Sequence, residues 1–136
     1  VIGDGPDYGL LKEQIQNYEI EHNFFLLGFK ENPYPFMKTC DIYAQTSLFE
    51  GLGLTVIEAT ILQKPIVTTN FPTASSIITH NETGLICEMN GGSISDAIIK
   101  YIDNKELVNK VCDALSTIDN TDKEISLQKI EHILTK

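Results

Sequence analysis

The stretch from Ser47 to Thr69 most limits how this chain can fold, because signals for a loop, a helix and a strand follow one another there. Gly51 and Gly53 lie in the loop, and glycine suits tight turns and the close approach of a ligand. An apolar helix begins near Leu54, and the run from Ile66 to Thr69 predicts a strand. The first amides of a helix lack internal partners and carry the positive end of its dipole. We therefore expect an anion site, suited to a phosphate, where the loop meets the helix.

Two carboxylates flank this junction. Glu50 precedes the loop, and Glu58 lies in the first turns of the helix. Because carboxylate oxygens accept hydrogen bonds from hydroxyl groups, the pair fits a ligand that combines phosphate with a polyol, such as a nucleotide-sugar. Two other interpretations stay open: Thr55 and Glu58 also match a capping box, and Glu50 fits an exposed loop carboxylate that binds nothing.

Elsewhere, short apolar runs alternate with amphipathic segments and are joined by short polar loops. The predicted strands are Val1-Ile2, Phe24 to Leu27 (expected to be buried), Asp41 to Gln45, Ile66 to Thr69 and Thr83 to Cys87. The predicted helices are Tyr8 to Tyr18, a short piece through Met37 to Thr39, the central helix, Ser93 (as N-cap) to Tyr101, Glu106 to about Ile118 and Lys123 to Leu134. This alternation predicts an α/β fold with a doubly wound parallel sheet.

Apolar side chains recur at helical spacing in two of these helices. In the first helix they are Leu10, Leu11, Ile15 and Tyr18, and in the helix after Ser93 they are Ile94, Ala97, Ile98 and Tyr101. We expect both sets to face the interior of the protein.

Composition limits the partners and the chemistry. The formal net charge is −9, with ten lysines and no arginine, and both nucleic acid and anionic membranes favour basic surfaces instead. We therefore expect no nucleic-acid partner. Cys40, Cys87 and Cys112 are widely spaced and the histidines are scattered, which predicts buried free thiols and no metal site. No run of the sequence approaches the length of a membrane span, and we predict a cytoplasmic protein.

The two glutamates also carry a resemblance. Glu50 and Glu58 are separated by seven residues, in the setting Ser-x-x-Glu-Gly-x-Gly-Leu-x-x-x-Glu-Ala followed by Pro-Ile-Val. This setting resembles the signature of retaining GT-B glycosyltransferases of the family 4, or group 1, type. Further similar pieces follow the order of that family, namely Gly3-Asp4-Gly5-Pro6, Phe25-Leu26-Leu27-Gly28, Cys40-Asp41-Ile42-Tyr43 and Thr83-Gly84-Leu85-Ile86. The resemblance covers about residues 1–110.

The resemblance implies a Rossmann-like sheet with helices on both faces, forming the C-terminal half of a GT-B fold and ending in two or three helices. It identifies residues 1–136 as a nucleotide-sugar donor-binding domain. The chain begins at Val1 without an initiator methionine. We therefore expect a domain truncated at its N-terminal side, with the acceptor-binding domain absent.

The same resemblance assigns roles to individual residues. Glu50 is implied as the catalytic carboxylate beside the donor hexose, and Glu58 as the ligand of the ribose hydroxyls. The remaining implied donor-binding residues are Gly51, Leu52 and Gly53 at the sugar, Leu54 and Thr55 at the diphosphate, and Gly3, Gly28, Phe29 and Lys30 at the nucleotide side.

The implied activity is retaining transfer of a hexose from an NDP-sugar to a glycan or lipid acceptor, in polysaccharide or cell-envelope biosynthesis. The NDP-sugar is the substrate, and neither a cofactor nor a metal is expected. The acceptor would bind through the missing N-terminal domain, so this fragment alone is expected to be inactive. For the full-length protein, the expected membrane association is at most peripheral.

Two positions depart from the pattern of the family. Ser76 stands where the family usually has a third glutamate, which bears on donor-sugar preference, and Gln63 stands where it often has glycine. Two alternatives stay open: a non-catalytic GT-B-like binding or interaction domain, and a dinucleotide-binding oxidoreductase module. The second expects a third glycine after Gly3 and Gly5, where this chain has Tyr8.

Overall fold

The computed structural model describes residues 1–118, which form two compact units, Val1–Phe36 and the chain from Met37 onward. The second unit contains a three-stranded parallel sheet in the order β1-β2-β3. Its strands are β1 (Tyr43–Gln45), β2 (Ile66–Thr69) and β3 (Leu85–Cys87). All three lie within segments that the sequence predicts as strands, and β1 and β3 begin two residues later than expected.

The helices of the described chain are α1 (Tyr8–Asn17), α2 (Tyr34–Thr39), α3 (Leu54–Ile61), α4 (Ala74–Ile77), α5 (Gly91–Asp103) and α6 (Lys105–Thr117). α3 connects β1 to β2 and α4 connects β2 to β3, so each crossover between parallel strands passes through a helix. The helix predicted at Lys123 to Leu134 lies outside the described residues. None of the described helices has both the length and the apolar character needed to cross a membrane.

Helices cover both faces of the sheet, which confirms the doubly wound, Rossmann-like prediction. Val67 lies beside Leu85 in parallel register, and both belong to one core cluster with side chains of α5 and α6. Other members of this cluster are Cys87, Tyr101, Val111 and Leu115, with Ile94, Ala97 and Ile98 packed against it, as predicted for the inner face of α5. Because side chains alternate along a strand, Ile66 and Thr68 point to the other face, where α3 contacts β1 and β2.

The start of α5 corrects one prediction. The helix begins at Gly91, and its N-cap is Asn90, whose Oδ1 accepts a hydrogen bond from the Ser93 amide at 2.9 Å. The Ser93 hydroxyl instead accepts from the Glu88 amide at 3.0 Å. Asparagine and serine are about equally good N-caps, so composition alone does not choose between them.

The run from Phe24 to Leu27 is not the buried strand that the sequence predicts. Leu27 donates its amide to the Val1 carbonyl at 2.8 Å, but neither segment forms a regular strand. Phe24 is 41% exposed and Phe25 is 57% exposed. The apolar run therefore pairs with its neighbour, but within the first unit no second layer covers it.

The apolar face predicted for the first helix is also only partly buried. In α1, Ile15 is buried, whereas Leu10, Leu11 and the C-cap residue Tyr18 are exposed. Helical spacing places these side chains on one side of α1, but burial depends on what lies opposite. Of these four side chains, only Ile15 is buried.

The C-terminal end of α3 contains a residue in an unfavourable backbone conformation. Gln63 has a φ of 55°, in the left-handed region where glycine is favoured, and it follows the C-cap residue Leu62. A side chain in this region costs about 1–2 kcal/mol relative to glycine. The departure at Gln63 noted in the sequence is therefore a point of local strain.

We expect Gln63→Gly to raise the free energy of unfolding by about 0.5–1 kcal/mol, because relief of this strain exceeds the added entropy of the unfolded chain. Chemical denaturation of both proteins measures the difference. The matched control is Gln14→Gly within α1, where the same change is expected to cost about 1 kcal/mol. Equal destabilisation by both substitutions would contradict the strain at Gln63.

Candidate functional site

The loop between β1 and α3 lies at the carboxyl ends of the parallel strands, where ligands bind in open α/β sheets. Two threonines anchor it. Thr69 at the end of β2 donates its hydroxyl to the Ser47 carbonyl at 2.5 Å, and Thr73 before α4 donates to the Gly51 carbonyl at 3.0 Å. The loop is thus tied to the segment that follows β2, although its residues are far from that segment in sequence.

Gly53 forms the junction between loop and helix. It is the N-cap of α3, with φ 59° and ψ 37° in the left-handed region, and its carbonyl accepts from the amides of Val56 at 2.9 Å and Ile57 at 3.1 Å. No side chain caps this end of α3. Thr55 lies inside the helix, so the alternative of a capping box between Thr55 and Glu58 is wrong. The amides of Leu54 and Thr55 occupy positions that have no partner within a helix.

The loop is exposed on one side and packed on the other. Gly51 and Leu52 are exposed, and the Leu52 side chain is 71% accessible. Gly53 is buried, and a Cβ atom there would lie 2.7 Å from Ile77 Cδ1 and 3.3 Å from Phe71 Cζ. The packed side fixes the backbone course into α3, while the exposed side leaves room for a ligand.

Glu50 is half-buried and is held by two neighbouring side chains. Gln45 Nε2 donates to Glu50 Oε1 at 2.7 Å, and the Ser47 hydroxyl donates to the same oxygen at 3.2 Å. Within residues 1–118 no donor reaches the second oxygen, Oε2, and no side-chain polar atom there is buried without a partner. Oε2 is therefore open to solvent and can accept a hydrogen bond from a ligand.

Gln45 connects Glu50 with the start of α3. Its Oε1 accepts from the Tyr43 hydroxyl at 2.8 Å and from the Thr55 hydroxyl at 3.2 Å, and its Nε2 also donates to Ser47 Oγ at 2.8 Å. The sequence signature from Glu50 to Glu58 does not include Gln45 or Tyr43. The sequence does contain a sign of their role: they are two polar side chains two positions apart, which places both on one face of β1 at its carboxyl end, beside the predicted loop.

Tyr43 lies within the influence of both glutamates. Burial is the main cause that raises the pKa of its hydroxyl, the neighbouring Thr55 lowers it, and the charges of Glu58 and Glu50 raise it further. The hydroxyl therefore stays protonated at neutral pH and remains a donor to Gln45. The structure thus brings Glu50 and the half-buried Glu58 to one neighbourhood.

The other predicted donor-binding residues belong to the first unit. The Gly3 amide donates to the Gly28 carbonyl at 2.9 Å, which brings these two turns together. Phe29 is 75% exposed and Lys30 is half-buried. Gly3 also lines a cavity of about 220 Å³ with Asp4, Gly5, Pro6 and Tyr8, among others of that unit.

In the described chain the cysteines are free thiols, and no cluster of side chains is placed to bind a metal. Cys87 is buried as predicted, whereas Cys40 and Cys112 are half-buried, and all three are free thiols. Burial raises the pKa of each thiol, which favours the unreactive protonated form. Among residues 1–118, no group of three or more His, Cys, Asp or Glu side chains is placed to hold a metal ion.

Two curated relatives show the similarity of sequence. Poly(glycerol-phosphate) alpha-glucosyltransferase of Bacillus subtilis is 30% identical over 112 residues, which cover 81% of this chain and 17% of that protein. N-acetyl-alpha-D-glucosaminyl L-malate synthase of Bacillus anthracis is 27% identical over 108 residues, which cover 79% of this chain and 28% of that protein. The chain thus spans less than a third of the length of either relative.

Solved structures show the same fold. HepE of Anabaena in complex with UDP has a TM-score of 0.82 at 23% identity, over 99% of this chain and 40% of that one. TarM of S. aureus, in a complex that includes UDP, has a TM-score of 0.80 at 25% identity, over 99% of this chain and 28% of that one. The profile of the family described as Glycosyl transferases group 1 matches residues 1–114. The chain therefore belongs to the group 1 glycosyl transferases.

Proposed function

We propose that this chain binds the NDP-sugar donor of a retaining glycosyltransferase, which transfers a hexose to a glycan or lipid acceptor in cell-envelope polysaccharide biosynthesis. Glu50 is the proposed catalytic carboxylate beside the hexose. Glu58 holds the ribose, and the amides of Leu54 and Thr55 meet the diphosphate. In this proposal the binding of donor needs neither a metal nor a cofactor.

One observation carries the proposal: the uncapped N-terminus of α3 and the open oxygen of Glu50 belong to one hydrogen-bonded cluster. A diphosphate gains from oriented helix amides, because negative charge grows on it as the glycosidic bond breaks. A hexose gains from a carboxylate whose orientation is already set by Gln45 and Ser47. The cluster therefore offers the two kinds of contact that a nucleotide-sugar needs.

The relatives support the choice of donor and process. HepE has been solved with UDP, with UDP and glucose, and with UDP-glucose. Relatives of this chain include a poly(ribitol-phosphate) alpha-N-acetylglucosaminyltransferase of Staphylococcus aureus and an alpha-1,3-galactosyltransferase of Escherichia coli that acts on a diphosphoundecaprenol substrate. By analogy, we assign a UDP-sugar as donor and a cell-envelope glycan or lipid as acceptor.

A panel experiment tests the proposal directly. The intact protein is incubated with UDP-, GDP- and ADP-hexoses and a cell-envelope glycan or lipid as acceptor, with and without EDTA, and release of the nucleoside diphosphate is followed. We expect saturable release with one nucleotide, unchanged by EDTA, and none from residues 1–136 alone. Binding of a nucleotide-sugar without turnover by the intact protein would instead favour the non-catalytic binding domain.

Glu58→Ala in the intact protein is expected to weaken binding of the nucleoside diphosphate about 10- to 100-fold, because a hydrogen bond to a charged group is worth about 1.5–3 kcal/mol. Isothermal titration calorimetry measures the change. Glu106→Ala is the matched control, since Glu106 is also a helical glutamate but lies in α6, outside the site. If the two variants bind equally well, Glu58 is not a ligand of the ribose.

A further inference from the structure

Gln45 uses all of its hydrogen-bonding capacity inside the protein. A glutamine side chain has two N–H donors and an oxygen with two acceptor sites. In Gln45 the donors go to Ser47 and Glu50, and the oxygen accepts from the hydroxyls of Tyr43 and Thr55. Nothing remains for a ligand. Gln45 therefore acts on the site only through its neighbours.

We propose that Gln45 is a positioning residue, which turns Glu50 so that Oε2 faces the hexose of the donor. This inference rests on the proposed function and extends it by one residue. The Gln45 amide satisfies Glu50 Oε1 at 2.7 Å and so leaves Oε2 as the oxygen that meets the sugar. A carboxylate fixed in this way loses less conformational entropy when the donor binds.

The Glu50 carboxylate fixes which end of the Gln45 amide faces it, because an ionised carboxylate only accepts hydrogen bonds and the nitrogen is the donor end of the amide. Gln45 Oε1 therefore faces the hydroxyls of Tyr43 and Thr55, and both hydroxyls donate to it. Thr55 lies at the start of α3. Gln45, which bonds both Glu50 and Thr55, therefore connects the Glu50 carboxylate with the helix end proposed for the diphosphate. Gln45 thus orients the hexose side of the proposed donor site, while the backbone of α3 holds the amides proposed for the diphosphate.

The first test compares Gln45→Met with the wild type in the intact protein. Methionine keeps the approximate length of the side chain and removes its donors. We expect kcat/KM for the panel donor that the wild type turns over to fall about 10- to 100-fold. Affinity for the matching nucleoside diphosphate should stay nearly unchanged, because that ligand has no hexose. Gln14→Met on the exposed surface of α1 is the control and should match the wild type.

The second test uses Gln45→Glu and a pH series. In Gln45→Glu a carboxylate replaces the amide whose nitrogen lies 2.7 Å from Glu50 Oε1. Two carboxylates this close repel each other when both are ionised, and they share a proton as the pH falls. We expect the ratio of kcat/KM between Gln45→Glu and wild type to rise as the pH falls from about 8 to about 5. Glu58 and Tyr43 are the other titratable groups nearby; both are present in the two proteins, so their titration affects the ratio little.

The outcomes separate the two proposals. If the intact wild type binds no nucleotide-sugar, the proposed function fails, and the inference about Gln45 fails with it. If the wild type turns over a donor but Gln45→Met does so equally well, or if the Gln45→Glu ratio is flat with pH, only the positioning role fails. A Gln45→Met variant that loses the nucleoside diphosphate as strongly as the donor would show a merely structural role and overturn the inference.

Discussion

Gly53→Ala is expected to lower the free energy of unfolding by about 2–5 kcal/mol and to abolish measurable donor binding. The left-handed backbone at φ 59° costs about 1–2 kcal/mol with any Cβ atom, and crowding in a packed site adds about 1–3 kcal/mol. The added methyl group would lie 2.7 Å from Ile77 Cδ1 and 3.3 Å from the ring of Phe71. Relief of either contact moves the loop, and with it the first amides of α3.

Urea denaturation and a titration with the nucleoside diphosphate measure these effects. Gly91→Ala, at the start of α5 and outside the site, is the matched control, since a Cβ atom there meets nothing within 4 Å and should change stability and binding little. A second variant, Gly53→Ala combined with Ile77→Ala, removes the closest contact but keeps the backbone strain. We expect it to remain defective in binding. Full binding by Gly53→Ala would contradict a role for this turn.

Glu50→Ala is expected to lower kcat/KM of the intact protein about 100-fold or more, with little change in affinity for the nucleoside diphosphate. The open oxygen of Glu50 is the proposed acceptor for hexose hydroxyls, and each hydrogen bond to a charged group is worth about 1.5–3 kcal/mol. The substitution also leaves Gln45 and Ser47 without the acceptor that they share. Steady-state kinetics with the panel donor provide the measurement.

Glu50→Gln refines this experiment, because it keeps the shape of the side chain but removes the charge. We expect it to fall between the wild type and Glu50→Ala. Glu82→Ala removes an exposed carboxylate outside the site and should match the wild type. Wild-type kinetics for Glu50→Ala would remove Glu50 from the mechanism, whatever the nucleotide affinity.

Local patterns were enough to predict most elements of the second unit. The strands at Tyr43–Gln45, Ile66–Thr69 and Leu85–Cys87 and the inner face of α5 follow from apolar runs and helical spacing. In the last two strands and in α5, the side chains that the pattern marks lie in or against the core, whereas no residue of the first strand is buried. The same reasoning was wrong for Phe24 to Leu27. That run has the composition of a buried strand, but burial requires a second surface.

The candidate site was predictable only in part. The signature from Glu50 to Glu58 gives the loop, the helix and the two carboxylates, since these are consecutive in the chain. The contacts that orient these carboxylates and the loop join residues that are not consecutive in the chain. Thr69 and Thr73 anchor the loop from beyond α3, and the packing of Gly53 against Phe71 and Ile77 depends on how two crossovers meet. Such contacts join residues about twenty positions apart, so they leave no local pattern.

The order of residues alone established the family, the alternation of strand and helix, and the place where a helix N-terminus meets two acids. Periodicity and glycine placement are local properties of the sequence, so they can be identified without knowledge of the fold. The folded chain decided that Gly53 and not Thr55 caps α3, and that Gln45 joins Glu50 to Thr55. Both depend on the parallel sheet, because the crossover from β1 through α3 to β2 brings the end of one element beside the start of another.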